Sequence, residues 1–161
     1  MGTRSGVVAL VAVAVAAAVA VTVGLVVLGG NEESSRESYQ AAVVNARDRV
    51  DFAYGRIAGS QSPEELIERL DDAAVAIGDT ASDLDDTGAP DELEDENERL
   101  VDALRDFSDV LAGTAAQFED PTFAGTVTGI TSLSFPEWDR TNRVLAQLAE
   151  QGIEVDQLAR H

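Results

Sequence analysis

From Gly6 to Leu28 the chain runs 23 residues without a charged side chain, mostly Val and Ala, with Thr22 polar and Gly6 and Gly24 as breaks. As a helix this run spans roughly 34 Å, enough to cross a bilayer. Valine is a mediocre helix former in water, but in hydrocarbon every backbone group has to be bonded internally, so helix prevails. Arg4 precedes the run and Asn31, Glu32 and Glu33 follow it. The positive-inside rule then places residues 1–5 in the cytoplasm, 6–28 in the membrane as a signal anchor, and the rest outside. Two other readings stay open. Ala18-Val19-Ala20 has the small-x-small form of a signal-peptidase site, which would make the protein secreted. Arg4-Ser5-Gly6 before an apolar run also fits a prepilin-type leader. Apolar sequence continuing to Leu28, beyond the roughly 7 to 15 residues of a cleaved apolar region, favours the anchor.

Residues 29–36, GGNEESSR, read as a polar linker, and 37–161 as one extracytoplasmic domain large enough for its own core. There the apolar residues recur at alternating spacings of three and four, which marks amphipathic helices. Tyr39, Val43, Ala46, Val50, Ala53 and Ile57 form one stripe, and Leu66, Leu70, Ala73, Ile77 and Leu84 a second. Leu93, Leu100, Leu104, Phe107, Leu111 and Phe118 form a third, with Asn97 in the seam. Gly59 closes the first helix. Ser62-Pro63-Glu64-Glu65 opens the second as a capping box with proline at the first helical position. Asp86 to Pro90 stops it, and Asp91 serves the start of the third. Short connections imply antiparallel neighbours. A last full helix is expected from Pro136 to Gln151, with Trp138, Leu145 and Leu148 inward and Gly152 as its stop. Short helices are expected near 121–130 and 154–160, the tail from Ile153 to Leu158 packing back onto the bundle. The expected fold is all-α: a transmembrane helix, then an antiparallel bundle of about four helices.

Composition removes most catalytic chemistry. All 11 basic residues are arginine, there is no cysteine or lysine, and the single histidine is His161. Thiol nucleophiles, disulfides, thiolate or multi-histidine metal sites and lysine chemistry therefore have no residues to use, and a Ser/His/Asp triad has only His161. With 30 acidic residues and a net charge of −19, the chain repels nucleic-acid phosphate. Paired acids at Asp71-Asp72 and Asp85-Asp86 point in different directions on a helix, so they do not make an acid/base couple. The expectation is a non-enzyme without a resident cofactor.

One stretch has the spacing of a cation loop. Counting Asp83 as position 1 of a twelve-residue calcium loop, Asp83, Asp85, Asp91 and Glu94 stand at positions 1, 3, 9 and 12, with Thr87 at 5 and Gly88 at the sharp-turn position 6. Pro90 at position 8, where an EF-hand has an aliphatic residue, departs from that pattern; the bland alternative is an interhelical turn with acidic helix caps. Asn97 reads as a register-fixing polar core residue, and Phe123, Phe135 and Trp138 as core aromatics or the floor of a small-molecule pocket.

The segments GAPDELEDENERLVDAL and FPEWDRTNRVLAQLAEQGIEV resemble small anchored or secreted helical proteins of high-GC actinobacteria, over roughly residues 60–158. The resemblance implies location and fold, and no reaction; such relatives often carry histidine where this chain has Asn97. Lysine-free acidity, with 16 Asp and 14 Glu, also resembles halophile surface chemistry, although a GC-rich genome avoiding lysine codons produces the same bias. The expected role is a membrane-anchored interaction or structural module of the cell envelope with a protein partner. The alternative is an extracytoplasmic sensor or ligand-binding bundle, calcium included, acting through a transmembrane partner.

Overall fold

The computed structural model describes residues 32–120 and 135–159. It contains four α-helices and no strand among them: α1 (Glu32–Ala58), α2 (Pro63–Thr87), α3 (Glu94–Glu119) and α4 (Pro136–Glu150), with a 3-10 turn at Asp91–Leu93. The apolar run 6–28, the helix expected at 121–130 and Phe123 lie outside the described residues. No described helix is long and apolar enough to cross a membrane.

Local chemistry sets the helix ends. Ser62 Oγ accepts from the Glu65 amide at 3.1 Å while the Glu65 carboxylate accepts from the Gln61 amide at 2.8 Å, and Pro63 starts α2. Arg69, one turn further on, pairs with Glu65 and donates to the Arg56 carbonyl, so the start of α2 also satisfies the end of α1. At the other end of α2, Gly88 takes φ +68. There its amide bonds back to the Asp85 carbonyl at 3.2 Å. α4 ends in a Schellman turn: Gly152 stands at φ +87, its amide bonds to Ala149 O, and the Ile153 amide bonds to Leu148 O. Ile153 and Leu148, the two residues that such a turn brings together, are both buried.

All three expected stripes face the core. Every member of the first two is buried, as are Leu93, Asn97, Leu100, Leu104, Phe107 and Leu111 of the third; Phe118 is partly buried. Trp138, Leu145 and Leu148 complete the fourth wall. Burial of these side chains is the main favourable term holding the bundle together, at about 1.5–3 kcal/mol per large residue. The buried hydroxyls of Thr80 and Thr141 donate to carbonyls one turn back, at 2.6 and 2.9 Å.

Arginines tie the helices at the surface. Arg49 and Arg56 on α1 reach Asp83 and Asp72 on α2, an order that makes the two helices antiparallel. Arg105 on α3 meets Asp85 on α2, Arg140 on α4 meets Asp106 on α3, and Arg36 on α1 meets Glu92 in the 3-10 turn. Each exposed pair is worth little alone. Together they give every helix a distinct charged neighbour, which disfavours alternative registers.

Two expectations are corrected. The segment expected as a linker is already helical from Glu32. The segment expected as a helix at 154–160 is an irregular strap over its described residues 153–159, although Ile153 and Leu158 pack back as expected. The strap's backbone groups bond to side chains instead of to one another. Amides of Glu154, Leu158 and Ala159 donate to Gln40, Asn142 and Asp51 at 3.1, 2.7 and 2.9 Å. Arg36 and Arg47 donate to the carbonyls of Gln151 and Gln157. The strap thus runs along α1 in the same direction, and Leu158 plugs the seam formed by Ala46, Val50, Thr141 and Leu145. A helix there would have advanced too slowly: residues 154–159 must keep pace with 40–51 of α1, which takes about 3.3 Å per residue.

Candidate functional site

The spacing Asp83 to Glu94 does not form a cation loop, because α2 continues through Thr87. Residues two apart on a helix point to opposite sides. Accordingly Asp83 faces α1 and pairs with Arg49, while Asp85 faces α3 and pairs with Arg105 at 2.6 Å. The Thr87 hydroxyl donates to the Asp83 carbonyl at 2.8 Å. Asp91 is exposed in the 3-10 turn and Glu94 at the start of α3. Among the described residues no group of three or more acidic or histidine side chains is placed to hold a metal ion.

The structure instead brings Asp85 and Glu94 to opposite walls of an open groove between α2 and α3, with a volume of about 430 Å³. Gly88 and Ala89 form its end, and Val101 and Arg105 lie along it. Three more polar residues line it: Asn97, Glu98 and Asp102. Glu94, Glu98 and Asp102 are exposed, and none of them is in an ion pair with a described residue. Arg105 is engaged by Asp85, so the free charge of the groove is negative.

Asn97 is the groove's buried element, at 7% exposure. Its Oδ1 accepts a 3.1 Å hydrogen bond from the Tyr39 hydroxyl, which reaches across from α1. No described residue accepts from its amide nitrogen, and the side chain lines the groove. Burial raises the Tyr39 pKa well above its ordinary value, and the nearby charge of Glu96 adds to this, so the phenol stays neutral and able to donate. Asn97 is therefore a buried polar residue joined to α1 through Tyr39, and it also lines the groove.

The aromatic group is larger than the sequence suggested. Tyr54 and Phe107 join Phe135 and Trp138, with the Tyr54 and Trp138 rings 4.4 Å apart at 36° and Phe107 within 6.2 Å of the other three. Phe107, Phe135 and Trp138 are buried. Stacked on one another in this way, the rings serve the core.

Glu98, Asp102 and Arg105 were missed as site residues. The available signal was the four-residue repeat Glu94, Glu98, Asp102 beside a polar seam residue. Tyr39 carried no signal, because its bond to Asn97 joins positions 58 apart. No protein-family model, curated protein or solved structure matches the chain, and the groove's chemistry is read from its own residues.

Proposed function

We propose that this chain is a non-catalytic interaction module of the cell envelope, anchored by residues 6–28 with its helical bundle on the outer side of the membrane. The observation that carries this reading is the unpaired acidic groove between α2 and α3, standing on a bundle whose interior is filled by its own side chains. A surface row of carboxylates with no ion-pair partner among the described residues supports recognition of a basic protein surface by complementary charge. The length and charge flanks of the apolar run support anchoring.

The test is site-directed photo-crosslinking from position 98 of the full chain in its own membranes. A defined envelope protein recovered in stoichiometric yield is the expected result; a diffuse spread of abundant neighbours overturns the reading. Orientation is checked separately, using the absence of native cysteine. Gly113→Cys, where a side chain meets nothing within 4 Å, should react with a membrane-impermeant thiol reagent in intact cells. Labelling only after lysis overturns the outer placement.

A further inference from the structure

The strap after Gly152 is held in two different ways along its length. Its first residues belong to α4: the Gly152 and Ile153 amides bond to the carbonyls of Ala149 and Leu148, and Ile153 is buried. From Glu154 to Ala159 the backbone bonds only to side chains of α1 and α4 among the described residues. Three of these contacts crowd the far end. Arg47 donates to the Gln157 carbonyl at 3.0 Å, Asn142 accepts from the Leu158 amide at 2.7 Å, and Asp51 accepts from the Ala159 amide at 2.9 Å. Leu158, in their midst, is the one buried side chain from 154 to 159, and Val155 is half-buried.

The free-energy balance of this attachment is small. Ordering an extended segment costs backbone entropy at every residue, and here the gain is one large apolar side chain and four hydrogen bonds, three of them exposed. Each helix of the bundle buries a whole stripe instead. Closing the strap also has a local cost. Arg47 Nε is buried with no hydrogen-bond partner among the described residues, and the strap lies on that guanidinium through Gln157. Water reaches the Nε when the strap lifts, so a penalty of the closed state disappears in the open one. The seam beneath is formed by Ala46, Val50, Leu100, Leu104, Thr141 and Leu145. Its one hydroxyl, on Thr141, already donates to the Glu137 carbonyl within α4, so uncovering the seam strands no polar side chain of its own.

We infer that residues 154–159 form a latch that opens as a unit about the Gly152–Ile153 turn while the four helices stay folded, uncovering the apolar seam between α1 and α4. Release happens at Leu158: once its side chain leaves the seam and the three contacts around it break, no backbone bond holds residues 155 and 156. The fold thereby carries a surface that is exposed only in the open state, separate from the permanently open groove between α2 and α3.

The experiment uses the full chain in nanodiscs and exploits the absence of native cysteine. Ala46→Cys places a thiol under Leu158, and Ala103→Cys places one at a buried alanine inside the bundle. Labelling by a soluble thiol reagent should be faster at 46 than at 103. Adding Asn142→Ala, which removes the acceptor of the Leu158 amide, should raise the rate at 46 about two- to tenfold and leave the rate at 103 unchanged. Equal rates at the two sites, an equal rise at both, or no rise at 46 would make the strap part of the global unfolding unit and overturn the inference. A sulfur at 46 also crowds the seam, so amide hydrogen exchange on the cysteine-free chain is the second readout. There Asn142→Ala should speed exchange of the Ala159 amide by the same factor, although its own bond to Asp51 is untouched, and leave the Leu104 amide as it was. An unchanged rate at Ala159 would mean that the residues let go one by one, and the latch as a unit would be refuted.

Discussion

The hydroxyl of Tyr39 on α1 donates a 3.1 Å hydrogen bond to Oδ1 of Asn97 on α3, inside an otherwise apolar seam. It is the point where core and groove meet, since Asn97 belongs to both. Replacing Asn97 with leucine should leave the phenol buried without an acceptor and cost about 1–3 kcal/mol, while Tyr39→Phe/Asn97→Leu should recover most of that loss. A double-mutant cycle by urea denaturation checks it; additive single effects would show that the bond contributes no coupling.

The same phenol makes stability pH-dependent at the alkaline end. Its pKa is raised in the folded state by burial first and by Glu96 second, above the ordinary 10.0. The folded protein therefore holds a proton that the unfolded chain releases, so its contribution is intact below pH 10.0 and is lost as pH rises above it. The expected slope from this group is at most about 1.4 kcal/mol per pH unit. Tyr39→Phe should flatten the decline without abolishing it, because burial raises Tyr54 as well. An unchanged slope would contradict the assignment.

Gly152 and Gly88 both adopt positive φ but differ in surroundings. Alanine at either position should cost about 1–2 kcal/mol of backbone strain. At 152 the new methyl also meets the Arg36 guanidinium at 3.2 Å, where that side chain holds the Gln151 carbonyl at the end of α4, whereas nothing lies within 4 Å at 88. Both Gly152→Ala and Gly88→Ala should therefore lower the urea denaturation midpoint, and an unchanged midpoint at either position would contradict its positive φ.

Charge screening should dominate the response to ions. With a net charge of −19, the chain repels itself, and the arginine pairs that oppose this in the bundle are exposed. The melting temperature should rise with NaCl, and CaCl2 at matched ionic strength should add nothing, because Asp83 and Asp85 are turned to different arginines. An increment specific to calcium, abolished by Asp83→Ala, would show that α2 unwinds to form the loop its spacing imitates.

Much of this architecture could be read before folding was considered. The three-and-four spacing of Tyr39 to Ile57, Leu66 to Leu84 and Leu93 to Leu111 reports helix faces directly, because a residue's angle around its own helix depends only on position. The boundary signals at Ser62, Pro63, Gly88 and Gly152 are equally local, since they act through hydrogen bonds within a turn or through a single φ. The strap after Gly152 escaped this logic. Its extended form is set by Gln40, Asp51 and Asn142, partners distant in sequence.

The candidate site divides in the same way. Acidic spacing alone matched a calcium loop, but spacing does not say whether α2 ends before or after Thr87. Once α2 runs through, Asp83 and Asp85 are carried to opposite sides of one helix. Helix identity and helix faces are properties of neighbouring residues, and here the order of the amino acids was sufficient for them. Which faces meet was decided by packing: Asn97 finding Tyr39, Asp85 finding Arg105, and Glu94, Glu98 and Asp102 left without an ion-pair partner among the described residues.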